Sequence, residues 1–112
     1  MEATIFKNYS KSEEEVVAEI REMGFHPLTI DVPAVTNDFH FHDFDSVTYI
    51  LDGELTVTER DSGEACTLEV GDKAVAKAGV VHKESHDGFR AMFGFSVPPQ
   101  ELTQPIDKPV DQ

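Results

Sequence analysis

The sequence predicts a mostly β protein, a sandwich or barrel, with one α-helix near its N-terminus. Apolar residues follow a helical period only before residue 24, and afterwards they alternate with a period of two between turn residues. A chain of 112 residues with eight phenylalanines can bury one hydrophobic core. We therefore expect one domain, with a helical segment at residues 1–24, a β body at 25–97 and a proline-rich extended tail at 98–112.

The predicted helix has a start signal and a stop signal. Ser12 is a good N-cap residue, and Glu15 three positions later completes a capping box. Gly24 suits the left-handed conformation that often ends a helix. Four apolar side chains between these signals fall on one face: Val16, Val17, Ile20 and Met23. We expect this face to pack on the β body.

Eight runs of alternating residues follow the helix, and turn residues such as Asp52-Gly53 and Asp87-Gly88 separate several of them. The last run alternates most cleanly and is expected to form core. The predicted strands are Phe25–Val32, Asp38–His42, Val47–Leu51, Glu54–Arg60, Ala65–Val70, Lys73–Lys77, Val81–Ser85 and Phe89–Val97.

The chain is acidic, with 22 Asp and Glu against nine Lys and Arg and a formal net charge of −13. This charge opposes binding to phosphate backbones and anionic membrane surfaces, so we expect neither nucleic acid nor membrane as a partner. Cys66 is the only cysteine, which excludes a disulfide within the chain. The N-terminus lacks the pattern of a signal peptide, so we expect cytoplasmic residence.

Three histidines form the most informative pattern. His40 and His42 are two apart, so their side chains leave the same face of a strand, and His82 follows after a gap long enough for several strands. Imidazole nitrogens bind divalent transition metals, and a third ligand from a distant strand would complete a site. The pattern therefore predicts a metal centre if the chain folds His82 back onto the pair.

Two segments resemble the motifs of the cupin superfamily. The first runs from His40-Phe41-His42 to Gly53-Glu54-Leu55. The second begins at Gly71 and continues, after five residues, as Lys77-Ala78-Gly79-Val80-Val81-His82, with Lys77 where the family usually has proline. This resemblance implies an all-β, cupin-type double-stranded β-helix, the jelly-roll barrel of the RmlC-like cupins, here with one N-terminal α-helix.

The resemblance also implies a metal site. The family's histidine ligands correspond to His40, His42 and His82, but Ser46 stands where the family has a glutamate ligand. Asp45 is a candidate replacement if a bulge turns it inward, and Ser46 is expected to be a non-ligand or to hydrogen-bond a ligand. His86 lies four residues after His82, so in a continuous strand its side chain leaves the same face. It is the candidate catalytic residue, as a substrate contact, a proton carrier or a replacement ligand. A histidine in a loop is the simpler interpretation.

The function implied is that of a small metal-binding cupin. A mononuclear Fe, Mn, Ni, Cu or Zn ion would act on a small organic molecule, as in a dioxygenase or isomerase; the alternative is a non-catalytic small-molecule-binding or sensing module, which the missing glutamate favours. The resemblance further implies a homodimer. Met92 and Ile50 would otherwise need cover from the helix or a partner.

Overall fold

A computed structural model describes residues 3–9, 11–102 and 108–110. This part of the chain contains one α-helix, α1 (Glu13–Glu22), and a short 3-10 helix at Pro99–Glu101. The strands are β1 (Thr4–Phe6), β2 (His26–Val32), β3 (Val35–Thr36), β4 (His40–Phe41), β5 (Ser46–Gly53), β6 (Leu55–Glu59), β7 (Ala65–Leu68), β8 (Lys73–Ala76), β9 (His82–His86), β10 (Phe89–Phe95) and β11 (Lys108–Pro109).

Helix α1 begins where the sequence indicates. The Ser12 hydroxyl accepts a hydrogen bond from the Glu15 N–H at 3.2 Å, and the Glu15 carboxylate accepts one from the Ser12 N–H at 3.0 Å. Gly24 follows the helix with φ of 78°. Val16 and Ile20 are buried as expected, whereas Met23 is exposed because it is the C-cap, where the chain leaves the helix.

The strands form two antiparallel sheets. One has the order β1-β8-β5-β10-β2, and the other has the order β11-β4-β9-β6-β7, with β3 paired to β9. All eight predicted strands are present, with ends shifted by at most two residues, and the predicted jelly-roll fold class is confirmed. The sequence analysis missed β1, β3 and β11, since two or three residues are too few for a period of two to be detected.

Apolar side chains cover both faces of the central strand β10. On its inner face, Phe89 and Ala91 pack with Ile50, Leu55 and Leu68. On its outer face, Met92 packs with residues of α1 and β5. The chain itself therefore buries both Met92 and Ile50, so neither residue needs a partner chain to cover it.

A glycine in β10 lets the helix approach the sheet. A Cβ atom added at Gly94 would lie 2.7 Å from Ile20 Cγ2 and 2.8 Å from Val47 Cγ1, both closer than normal carbon contacts. Ile20 and Val47 are themselves fully buried, so neither has room to move aside. The position of α1 on the sheet thus requires glycine, which has no side chain, at residue 94.

A polar cluster joins α1 to the sheet, and we call it the helix-side cluster: Glu19, Lys73, Tyr9 and Tyr49. The Glu19 carboxylate accepts hydrogen bonds from Tyr49 Oη at 2.6 Å, from Tyr9 Oη at 2.8 Å and from Lys73 Nζ. Burial raises the pKa of Glu19, but these donors outweigh it and lower the pKa to about 2. Burial and the Glu19 charge raise the pKa of Tyr49, which keeps its hydroxyl a donor.

Candidate metal centre

The fold brings the three predicted histidines together. Strands β4 and β9 are neighbours, and His40 lies opposite His82 across this pair. The ring centroids are 4.5 Å apart for His40 and His82, 5.1 Å for His42 and His82, and 5.3 Å for His40 and His42. The distant third histidine therefore folds back onto the His-x-His pair, as the resemblance to the cupin motifs implies.

Glu84 joins these histidines as a fourth group that the sequence analysis missed. Its Oε1 lies 2.9 Å from His82 Nε2, and its Oε2 lies 3.4 Å from His40 Nε2. One nitrogen or oxygen of each of the four residues lies within 4.8 Å of the others. We call His40, His42, His82 and Glu84 the histidine cluster.

Backbone carbonyls orient two of the rings. His40 Nδ1 lies 2.9 Å from the Asp38 carbonyl, and His82 Nδ1 lies 2.9 Å from the Val80 carbonyl. A carbonyl oxygen only accepts, so Nδ1 carries the proton in both rings. In the neutral form, the Nε2 lone pair of each ring is then directed at the centre of the cluster, as in metal sites whose outer contacts fix the tautomer.

Asn37 holds Glu84 in place through three hydrogen bonds. Its Nδ2 donates to Glu84 Oε2 at 2.6 Å, its Oδ1 accepts from the Glu84 N–H at 2.8 Å, and its own N–H donates to the Glu84 carbonyl at 3.2 Å. Burial disfavours the charged carboxylate, but the contacts with His40, His82 and Asn37 outweigh it. They hold the pKa of Glu84 well below its usual range, so the group is an anion.

The structure does not bring Asp45 into this cluster. Asp45 Oδ1 accepts a hydrogen bond from the Ala78 N–H at 2.8 Å, and the Asp45 N–H donates to the Ser96 hydroxyl at 2.9 Å. Asp45 thereby joins two loops, and its carboxylate is engaged there. Ser46 lies in β5, in the opposite sheet, and faces the barrel interior.

A cavity of about 440 Å³ opens beside the cluster, inside the barrel. His42, His82 and Glu84 form part of its wall, and most of the remaining wall is apolar. His86 also lines it, which places the ring in the barrel interior rather than in a surface loop. Its Nδ1 accepts a hydrogen bond from the Gly88 N–H at 3.0 Å, and its ring packs edge-on against Phe89.

The fold and the clustered histidines are those expected of a cupin, and the sequence match supports the same family. The sequence profile of the cupin domain matches residues 28–97. The chain belongs to the cupin family. None of the proteins of curated function matches the sequence significantly, and no helix in the described part of this cupin is long and apolar enough to cross a membrane.

Solved structures with the same fold include other cupins. A cupin-2 domain protein from Shewanella frigidimarina has 27% identity and a TM-score of 0.51, with 62% of this chain and 67% of that chain covered. An RmlC-like cupin from the same organism has 22% identity and a TM-score of 0.56, with 69% of each chain covered. Oxalate decarboxylase from Bacillus subtilis, which contains Mn(II) centres, has 18% identity and a TM-score of 0.53 over 77% of this chain and 26% of that chain.

Proposed function

We propose that the histidine cluster holds one divalent transition metal ion and that the adjoining cavity presents a small organic substrate to it. The observation that carries this proposal is the convergence of three imidazoles and one carboxylate, with donor atoms within 4.8 Å of one another. Ligands bound about 2.1 Å from one ion lie at most about 4.2 Å apart, so a small contraction of the cluster would suffice. This donor set suits Fe, Mn, Ni, Cu and Zn.

The hydrogen bonding around the cluster supports a bound ion. His40 Nδ1 and His82 Nδ1 are used by carbonyls, while Nε2 of both rings faces the single Glu84 carboxylate. With Nδ1 protonated, the Nε2 lone pair of a neutral ring faces the Glu84 anion, an arrangement that a cation between them would favour. One divalent ion would contact both Nε2 atoms and the carboxylate at the same time.

The chemistry proposed is that of a metal-dependent enzyme, dioxygenase- or isomerase-like. When bound, the ion would supply Lewis-acid or oxygen-binding chemistry. The Glu84 carboxylate would balance one of its two positive charges, which would leave one for an anionic oxygen of the substrate. Asn37 and the carbonyls of Asp38 and Val80 fix the ligand side chains, and the apolar wall of the cavity limits water.

A non-catalytic binding module is the alternative function. Ser46 stands where the family has a glutamate ligand, which favours this alternative in the sequence. Glu84 offers the histidines a carboxylate from the other sheet, so the serine does not leave the cluster without one. The expected homodimer stays a prediction.

Metal analysis of protein purified without an affinity column for metals tests the proposal. We expect close to one equivalent of a transition metal in the wild type, and at least about a hundredfold weaker retention in His82→Ala and Glu84→Ala. Asp45→Asn is the matched control, since it removes a carboxylate three residues from His42 in sequence but outside the cluster, and keeps the oxygen that accepts from Ala78. Metal content that is the same in all four proteins would refute the centre.

A further inference from the structure

The charged residues of this chain are distributed unevenly around the cavity. All nine lysines and arginines lie in the described part of the chain, and none of them lines the cavity. Its ionisable wall residues are the carboxyl groups of Glu59 and Glu84 and three histidines, His42, His82 and His86. A negatively charged ligand therefore has no lysine or arginine to pair with inside the barrel.

From this wall we infer the class of ligand: a small, mainly apolar molecule with one metal-binding oxygen group, at most one negative charge, and a neutral hydrogen-bond acceptor that meets His86. This inference rests on the proposed metal centre. A divalent ion beside Glu84 leaves one positive charge, enough for a single anionic group. A second anionic group would lose its hydration without gaining a cation, so its burial opposes binding.

The shape and surface of the cavity favour a ring. A cavity of about 150 Å³ accepts benzene, so the 440 Å³ here can hold one or two six-membered rings with substituents. Phe93 and Phe95 lie parallel in its wall, with centroids 5.8 Å apart, and Phe44 meets Phe95 edge-on at 5.2 Å. These aromatic faces offer stacking contacts and no charge.

His86 provides the polar contact at a distance from the metal. It follows Glu84 by two residues on the same face of β9, about 6.6 Å further along the strand. Because its Nδ1 accepts from the Gly88 N–H, the proton of the neutral ring is on Nε2. No residue in the described part of the chain accepts a hydrogen bond from this Nε2, so it is available to a ligand acceptor.

Two probe molecules of similar shape test whether the cavity rejects a second negative charge rather than a larger ligand. 4-Nitrobenzoate and terephthalate differ in one group: a neutral nitro group replaces the second carboxylate. We expect calorimetric titration of zinc-loaded protein to give at least about tenfold tighter binding of 4-nitrobenzoate. Equal or tighter binding of terephthalate, or no binding of either probe, would overturn the ligand class.

Variants at residue 86 test the acceptor contact. We expect His86→Phe to lose about fivefold of the preference for 4-nitrobenzoate over benzoate, as for one lost hydrogen bond, while His86→Gln, which keeps an N–H donor, retains it. An unchanged preference in His86→Phe would refute the contact. Zinc content is measured on the same samples: protein without zinc refutes the metal centre, whereas loaded protein with the wrong preference refutes only the ligand class.

Discussion

Glu19 and Glu84 are carboxylates in similar surroundings but with different partners. Their side chains are exposed to 21% and 20%, and three side chains contact each of them through polar atoms. Glu19 meets a lysine and two tyrosines, whereas Glu84 meets two histidines and an asparagine. The difference is that Glu19 pairs with the ammonium group of Lys73, while an imidazole nitrogen beside Glu84 can bind either a proton or a metal ion.

The two clusters also differ in access. Three aromatic rings surround the Lys73 ammonium, with centroids at 4.4 Å for Tyr9, 5.3 Å for Phe6 and 5.4 Å for Tyr49. Tyr9 and Tyr49 line a cavity of about 340 Å³, but Glu19 and Lys73 do not line it. Glu84, in contrast, lines the cavity inside the barrel together with His42 and His82. Glu19 therefore pairs with a cation of the chain, whereas Glu84 faces a space that a ligand can enter.

Replacing one charged residue in each cluster should give the largest difference in stability between variants. We expect Lys73→Met to lower the free energy of unfolding by about 2 kcal/mol, between the values for exposed and buried ion pairs, because Glu19 loses its cation. Glu84→Gln should also destabilise the metal-free protein, because the lowered pKa of Glu84 means that its charged form favours the folded state. Its distinguishing effect should be the loss of the stabilisation that bound metal gives the wild type. Urea unfolding with and without added metal measures both.

The response to added metal separates the two variants. Metal should stabilise Lys73→Met as much as the wild type, because Lys73 lies outside the histidine cluster, and it should stabilise Glu84→Gln far less. Equal stabilisation of the two variants by metal would contradict the comparison.

Replacing Asn37 should have a smaller effect than replacing a residue of the histidine cluster, and this effect should be on metal affinity. We expect Asn37→Ala to weaken metal binding about tenfold, because Glu84 loses the side chain that orients it. Thr36→Ala is the matched control, since Thr36 is the exposed neighbour and contacts Ser85 rather than the cluster. Competition with a chelating dye measures the affinities, and equal affinities in the two variants would exclude a role for Asn37 in positioning Glu84.

The smallest effect should be a difference in acid sensitivity. The pKa of Glu19 is about 2 in the folded protein against 4.5 without its partners. A lowered pKa adds stability above the unfolded value, which is lost as the pH falls towards the folded value. The stability difference between wild type and Glu19→Gln should therefore be constant above about pH 5.5 and shrink between pH 4.5 and 2. A difference that does not vary with pH would show that the Glu19 charge has no stabilising role.

The sequence was sufficient to predict the fold and three members of the cluster, for physical reasons. Strands such as β10 alternate over seven residues, and the capping box of α1 is a local pattern. His40, His42 and His82 were found because each occupies a position in a motif. Glu84 follows His82 by two residues, the same spacing that separates His40 and His42. Because residues two apart in a strand leave the same face, this spacing could have identified Glu84 as a neighbour of the cluster.

Other features depend on contacts that no local pattern encodes. Asp45 is a candidate ligand in the sequence because it is close to the histidines, but its orientation depends on the distant Ala78 and Ser96. The pairing of Glu19 with Lys73 joins residues 54 apart in sequence. Part of the tail, including Pro105, lies outside the described residues, so its predicted extended form stays a prediction.

The pairing of β11 with β4 bears on how the protein should be prepared. Lys108 and Pro109 lie opposite Phe41 and His40, so β11 borders the strand that carries His40. Removing β11 would leave that edge of β4 without its partner strand. A protein cut back to residues 25–97 should therefore hold His40 less firmly, and a test of the proposed metal centre needs residues 108–109 to be present.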